Sequence, residues 1–123
     1  MNAMSNLILI GPMGAGKTTN GKWLARQLGK TFIDMDAYIE QKTGTGITHI
    51  FELEGEAGFR QRESAALSDF LANDNQVIAT GGGSILLDAN RELMKRRGLV
   101  LYMHIPPQMP PHRLLHDRKD LGV

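Results

Sequence analysis

The stretch ILIGPMGAGKTTNGKWL, residues 8–24, decides the fold. Its apolar beginning, Leu7 to Ile10, reads as a short buried strand, and Lys17 to Leu28 reads as a helix closed by Gly29. Between them stand Gly11, Pro12, Gly14 and Gly16, more glycine than a packed turn requires. Glycine leaves backbone N–H groups uncovered, so an anion can come close to the main chain. Gly11, Gly16, Lys17 and Thr18 satisfy G-x-x-x-x-G-K-[ST] after a strand and before a helix, the setting in which that pattern wraps nucleotide phosphates. The helix starting at Lys17 points its positive end at the same anions. Gly14, Ala15, Gly16, Lys17, Thr18 and Thr19 are therefore the residues expected to bind a nucleoside triphosphate. Lys17 would reach the β- and γ-phosphates, and the Thr18 hydroxyl would hold Mg²⁺.

Outward from this loop the chain keeps alternating. Thr31 to Asp34 is a second strand, followed by a helix from about Ala37 to Lys42. From Ile47 to Ala72 the pattern is helical, broken near Gly55 to Gly58, with Phe59, Leu67, Phe70 and Leu71 as its apolar stripe. QVIAT (76–80) is a third strand and LVLYMHI (99–105) a fourth. Asp88 is placed to cap a helix whose last turn, KRRG, sets cations at the negative end of the dipole with a glycine after them. Short apolar strands alternating with helices predict an α/β fold: a parallel sheet with helices on both faces. Ligands then gather at the carboxyl ends of the strands.

Composition narrows the function classes. At 123 residues the chain has the size of one domain, 41% hydrophobic and 22% charged, as in ordinary globular proteins. A formal net charge of +1 and the lack of a basic stripe argue against nucleic acid as a partner. There is no cysteine, which fits a reducing compartment. Four consecutive apolar residues near the N-terminus are too few for a signal peptide or a membrane span. A cytoplasmic protein with no membrane partner is expected.

Three further groups carry chemistry. FIDMDAYIE (32–40) ends the second strand with Asp34 and Asp36, which could serve Mg²⁺, accept a substrate hydroxyl or act as general base; Asp36 could equally cap the next helix. Arg60 and Glu63 in GFRQRES share a helical face with Glu56, either as a solvated ion pair or with Arg60 as a guanidinium fork for a carboxylate substrate. Gly81, Gly82 and Gly83 in ATGGGS call for close approach of backbone to a ligand, or a tight turn. His112 and His116 sit four apart, but without a third ligand in view no metal site is assigned to them. His49 and His104 have no visible partners.

Together GPMGAGKTT, FIDMD, FELEGEAGFRQRE and VIATGGGS resemble the shikimate kinase family, in its order and spacing, over about residues 6 to 105. The resemblance implies a P-loop kinase domain over residues 1–123 that phosphorylates the shikimate 3-hydroxyl from ATP, on the route to chorismate and the aromatic amino acids. It further implies ATP as the nucleoside triphosphate at the loop, Thr18 and Asp34 at Mg²⁺, Lys17 and Asp36 as catalytic residues, and Asp36, Arg60 and Gly82 as shikimate contacts. A monomer is expected. A gluconate or nucleoside monophosphate kinase is the runner-up, and a silent nucleotide-binding module a third reading.

Near its end the chain departs from this family. IPPQMPPHRLL (105–115) carries four prolines where the family has a helix, and Asp120 falls where the family has a phosphate-binding lid arginine. Arg113 matches an arginine near the adenine. From about residue 106 the lid is expected to be incomplete, with the last strand and helix of the family missing and turnover reduced.

Overall fold

The computed structural model describes residues 5–12 and 16–103. Gly14, Ala15, His104, His112, Arg113, His116 and the expected lid region from 106 lie outside the described residues. The elements are β1 (Asn6–Ile10), α1 (Lys17–Leu28), β2 (Thr31–Asp34), α2 (Met35–Thr43), α3 (Ile47–Leu71), β3 (Gln76–Ala79), a single 3₁₀ turn at Ser84–Leu86, α4 (Asp88–Arg97) and β4 (Gly98–Tyr102). All four strands run parallel in the order β2-β3-β1-β4. β1 is thus central, with Leu7 opposite Val77 on one side and Leu99 on the other.

Period-two alternation along the strands divides the interior into two layers. Leu7, Leu9, Val77 and Leu101 face one way and pack with Leu24 and Ala25 of α1. Ile8 and Ile78 face the other way and pack with Met35 and Ile39 of α2, with Phe59, Leu67 and Leu71 of α3, and with Met94 of α4. Helices therefore cover both faces, as the uninterrupted apolar strands require. Of the stripe expected on α3, Phe59, Leu67 and Leu71 are buried, and the half-buried Phe70 packs against the same cluster.

Helix ends differ from expectation in α4. Leu87, not Asp88, occupies the N-cap position, and no side chain caps this helix. Asp88 is the first helical residue and pairs with Arg91 one turn on. Gly98 has φ −177°, ordinary extended backbone, rather than the left-handed turn that closes α1 at Gly29. Its missing side chain serves packing: a Cβ there would lie 2.6 Å from the Asn6 carbonyl oxygen across the β1–β4 pair. The break expected in α3 falls at Gly55, whose φ of 71° and ψ of 179° kink the helix there. His49, expected to be alone, lies 3.7 Å from Glu52.

Candidate active site

The carboxyl ends of β1, β2 and β3 converge on a cleft of about 400 Å³. Gly16, Lys17, Thr18 and Thr19 line one wall, Asp34, Asp36 and Glu40 another, and Thr80 and Gly82 the floor. Six of the expected site residues thus meet in one place with Gly82. Its size is that of an ordinary small-molecule site.

Gly16, in the left-handed region at φ 82°, turns the chain from the loop into α1. Its carbonyl is held twice, by the Asn20 backbone N–H and by the Asn20 side-chain amide, both at 2.9 Å. No acidic side chain sits in the first turn of α1, so the positive end of its dipole is uncompensated and open to an anion. Lys17 folds its ammonium onto the carbonyls of Gly11 and Pro12, the latter at 2.9 Å. Burial lowers its pKa, and Asp36 and Asp34 oppose that effect by attraction. A phosphate entering the loop offers Lys17 a charged acceptor in place of two neutral ones.

Asp34 does two jobs. Its Oδ1 accepts from the Ala37 N–H at 3.1 Å and so caps α2, while its Oδ2 accepts from the Thr18 hydroxyl at 3.3 Å. The capping role that sequence left open for Asp36 therefore belongs to Asp34. Thr18 and Asp34 thus set a hydroxyl and a carboxylate side by side, hard oxygen donors whose chemistry fits a magnesium ion shared with phosphates and water. Among the described residues no three carboxylates, histidines or cysteines cluster as an all-protein metal cage, and a phosphate-shared Mg²⁺ needs none.

Asp36 is freed for other work. Its Oδ1 is buried and has no hydrogen-bond partner, and the same holds for Oε2 of Glu63. Both oxygens face Gly81: a Cβ on that residue would lie 2.9 Å from the first and 2.7 Å from the second. Desolvation, then the charges of Asp34 and Glu63, raise the pKa of Asp36, against a lowering by Lys17. Arg60 does not line the cleft with the others. It lies behind the glycine triplet, where a Cβ on Gly83 would come within 2.3 Å of its guanidinium. Its Nη1 meets Glu63 Oε1 at 3.0 Å, and its Nε lies 3.7 Å from Glu56. Glu63 is 1% exposed, so the solvated ion pair considered from sequence is in fact a buried one. A carboxylate is the natural partner for a guanidinium backed in this way, and hydroxyls are the natural partners for orphaned carboxylate oxygens.

Glu63 was expected only as an ion-pair partner of Arg60, and Gly81 and Gly83 only as part of the triplet, with Gly82 the one named contact. The charge of Glu63 on the face of Arg60 was visible, but its burial was not.

The family model described as shikimate kinase matches residues 13–120. The chain belongs to the shikimate kinase family. The shikimate kinase of Psychrobacter arcticus is 47% identical over 115 residues, which is 94% of this chain and 62% of that protein. That of Pseudomonas paraeruginosa is 50% identical over 115 residues, covering 94% and 67%. A solved shikimate kinase from Acinetobacter baumannii, in complex with shikimate, superposes with a TM-score of 0.81 at 48% identity, over 94% of this chain and 64% of that one. The chain thus spans about three-fifths to two-thirds of the length of these shikimate kinases. Among the described residues no helix is long and apolar enough to cross a membrane.

Proposed function

We propose that this chain transfers the γ-phosphoryl group of ATP to the 3-hydroxyl of shikimate. One observation carries the proposal. Asp36 lines the cleft with the first residues of α1, and Asp36, Glu63 and Arg60 follow one another along the glycine triplet, the first two at Gly81 and the third at Gly83. A polyhydroxylated ring acid fits that series: hydroxyls toward Asp36, carboxylate toward Arg60. Gly82, on the floor of the cleft, contacts the same ring.

The chemistry needs position and charge more than covalent help. The loop residues Gly14, Ala15 and Gly16 with Lys17, Thr18 and Thr19 are assigned to the triphosphate, and Arg113 to the adenine. Thr18 and Asp34 would hold Mg²⁺, which supplies charge neutralisation on the phosphates when bound. Lys17 leaves its loop carbonyls and follows charge onto the transferring group. The shikimate oxygen forms its bond to the γ-phosphorus as the bond to the β-phosphate bridging oxygen breaks. ADP leaves, and the hydroxyl proton passes to Asp36, whose raised pKa suits it to accept. A cytoplasmic monomer acting within one domain completes the proposal, in keeping with a cysteine-free sequence.

The test is turnover by the purified chain with Mg·ATP and either shikimate or gluconate, read by mass spectrometry, with Lys17→Met in parallel. Shikimate phosphate is expected from the parent chain, with at least a hundredfold less from the variant and none from gluconate. Gluconate phosphorylation, or failure to bind shikimate in a calorimeter, would overturn the assignment.

A further inference from the structure

The kink in α3 has a fastening of its own. Gly55 divides the helix into a front segment, which begins at Ile47, and a rear segment, which carries Phe59, Arg60 and Glu63. Non-helical backbone at Gly55 interrupts the regular helix, so contacts between side chains on its two sides bear on the angle between the segments. Two residues span the break. Arg62 donates from Nε to Glu54 Oε1 at 2.7 Å and from Nη2 to Oε2 at 2.6 Å. This is a two-point fork, the geometry in which a surface ion pair constrains direction as well as distance. Gly58 gives it room, because a Cβ there would lie 2.5 Å from Cβ of Glu54.

The angle matters because of what the front segment delivers. Phe51, on the front, stacks on Phe59, on the rear, with centroids 4.7 Å apart and planes at 29°. The Arg60 guanidinium carbon lies 5.9 Å from the first ring centroid and 5.4 Å from the second. Half of the aromatic seat of Arg60 therefore comes from across the kink.

We propose that Glu54 and Arg62 are positioning residues: their fork sets the angle at Gly55 and so holds Phe51 against Arg60, the group that receives the substrate carboxylate. The carboxylate role of Arg60 rests on the function proposed above; the strap itself does not.

Two measurements separate these. The chain has no cysteine, so Thr48→Cys and Asp69→Cys, both at exposed positions on either side of the kink, accept a pair of spin labels. Arg62→Gln is expected to broaden the distance distribution between them, and an unchanged distribution would overturn the strap. In calorimetry, Arg62→Gln is expected to weaken shikimate binding about threefold to tenfold while leaving ADP affinity unchanged. Glu54→Gln combined with Arg62→Gln should be no worse than either alone, since both remove the same contact. Additive losses, or equal losses in ADP and shikimate affinity, would refute positioning through the fork. If the parent chain binds no shikimate, the functional assignment falls, and the label distances alone still decide the strap.

Discussion

Asp36 shows how a site residue is made from placement rather than from type. A short carboxylate two residues past a capping aspartate would ordinarily be a solvated first-turn acid. Here it is crowded by Asp34 and Glu63 and partly cut off from water, so its pKa rises. The fold then favours the neutral form. The stability that this preference gives is present at low pH and fades as pH climbs from 3.8 through the raised value. At pH 7 the ionised group is a burden, and Asp36→Asn should raise the melting temperature by about 2–5 °C in metal-free buffer while abolishing turnover. It should also flatten the fall in stability with rising pH; calorimetric melts across pH 4 to 8 read both effects. Gly83 makes a complementary case. Its φ of −99° suits any residue, so Gly83→Ala carries no backbone strain and acts only by pushing on Arg60. Shikimate affinity should drop at least tenfold with ADP affinity kept, as titration of each ligand would show. The position of Lys17 and Thr18 at the start of α1 was legible in the sequence because their spacing is tied to a loop of fixed shape, whereas Asp34 and Asp36 were legible only as carboxylates at a strand's end, with the capping role left open between function and structure. Glu63 was not, because whether a carboxylate on an amphipathic helix is wet or dry depends on Gly81, eighteen residues on and in another element.

At the level of elements, signals that arise from the backbone itself transferred well. Gly29 closes α1 in the left-handed region, and β2 spans the residues expected for it. α2 starts two residues earlier than its pattern suggested, since Asp34 caps it from the last position of the strand. Asp88 and Gly98 misled for a shared reason: both residue types serve helix ends, yet here one pairs with Arg91 and the other clears space for Asn6. Local chemistry could not distinguish those uses without knowing that β4 lies against β1. The break in α3 was legible as two nearby glycines, and they divide the labour, Gly55 bending the chain and Gly58 leaving space. Gly55→Ala forces an L side chain to φ 71°, with open space around it, so the cost is backbone strain alone, about 1–2 kcal/mol. Urea unfolding should report that loss with an unchanged slope.

Across the whole molecule, one buried amide ties together several segments at the end of the sheet opposite the cleft. Asn6 is fully buried; it accepts from the Gln76 backbone N–H at 3.1 Å and donates to the Asn73 carbonyl at 2.8 Å and the Arg97 carbonyl at 3.3 Å. It thereby joins the start of β1 to the segments leading into β3 and β4. Asn6→Ala would strand those groups in a dry interior, at about 2–3 kcal/mol, with the cleft residues untouched. Denaturant midpoint and ADP affinity, measured on the same sample, would show the first falling and the second holding. The parallel α/β architecture itself was legible, because only strands covered on both sides read as unbroken apolar runs. The strand order has a consequence for how the protein comes into being. β1 is made before β2, β3 and β4, yet its two neighbours among the described strands are β3 and β4, at least sixty residues further along. At about 5–20 residues per second, the phosphate loop and its strand wait several seconds or more without a partner, exposed to any passing chain that offers an edge. The most apolar strand of the sheet is therefore the nascent chain's period of greatest risk, and a pause in translation before residue 98 would lengthen it.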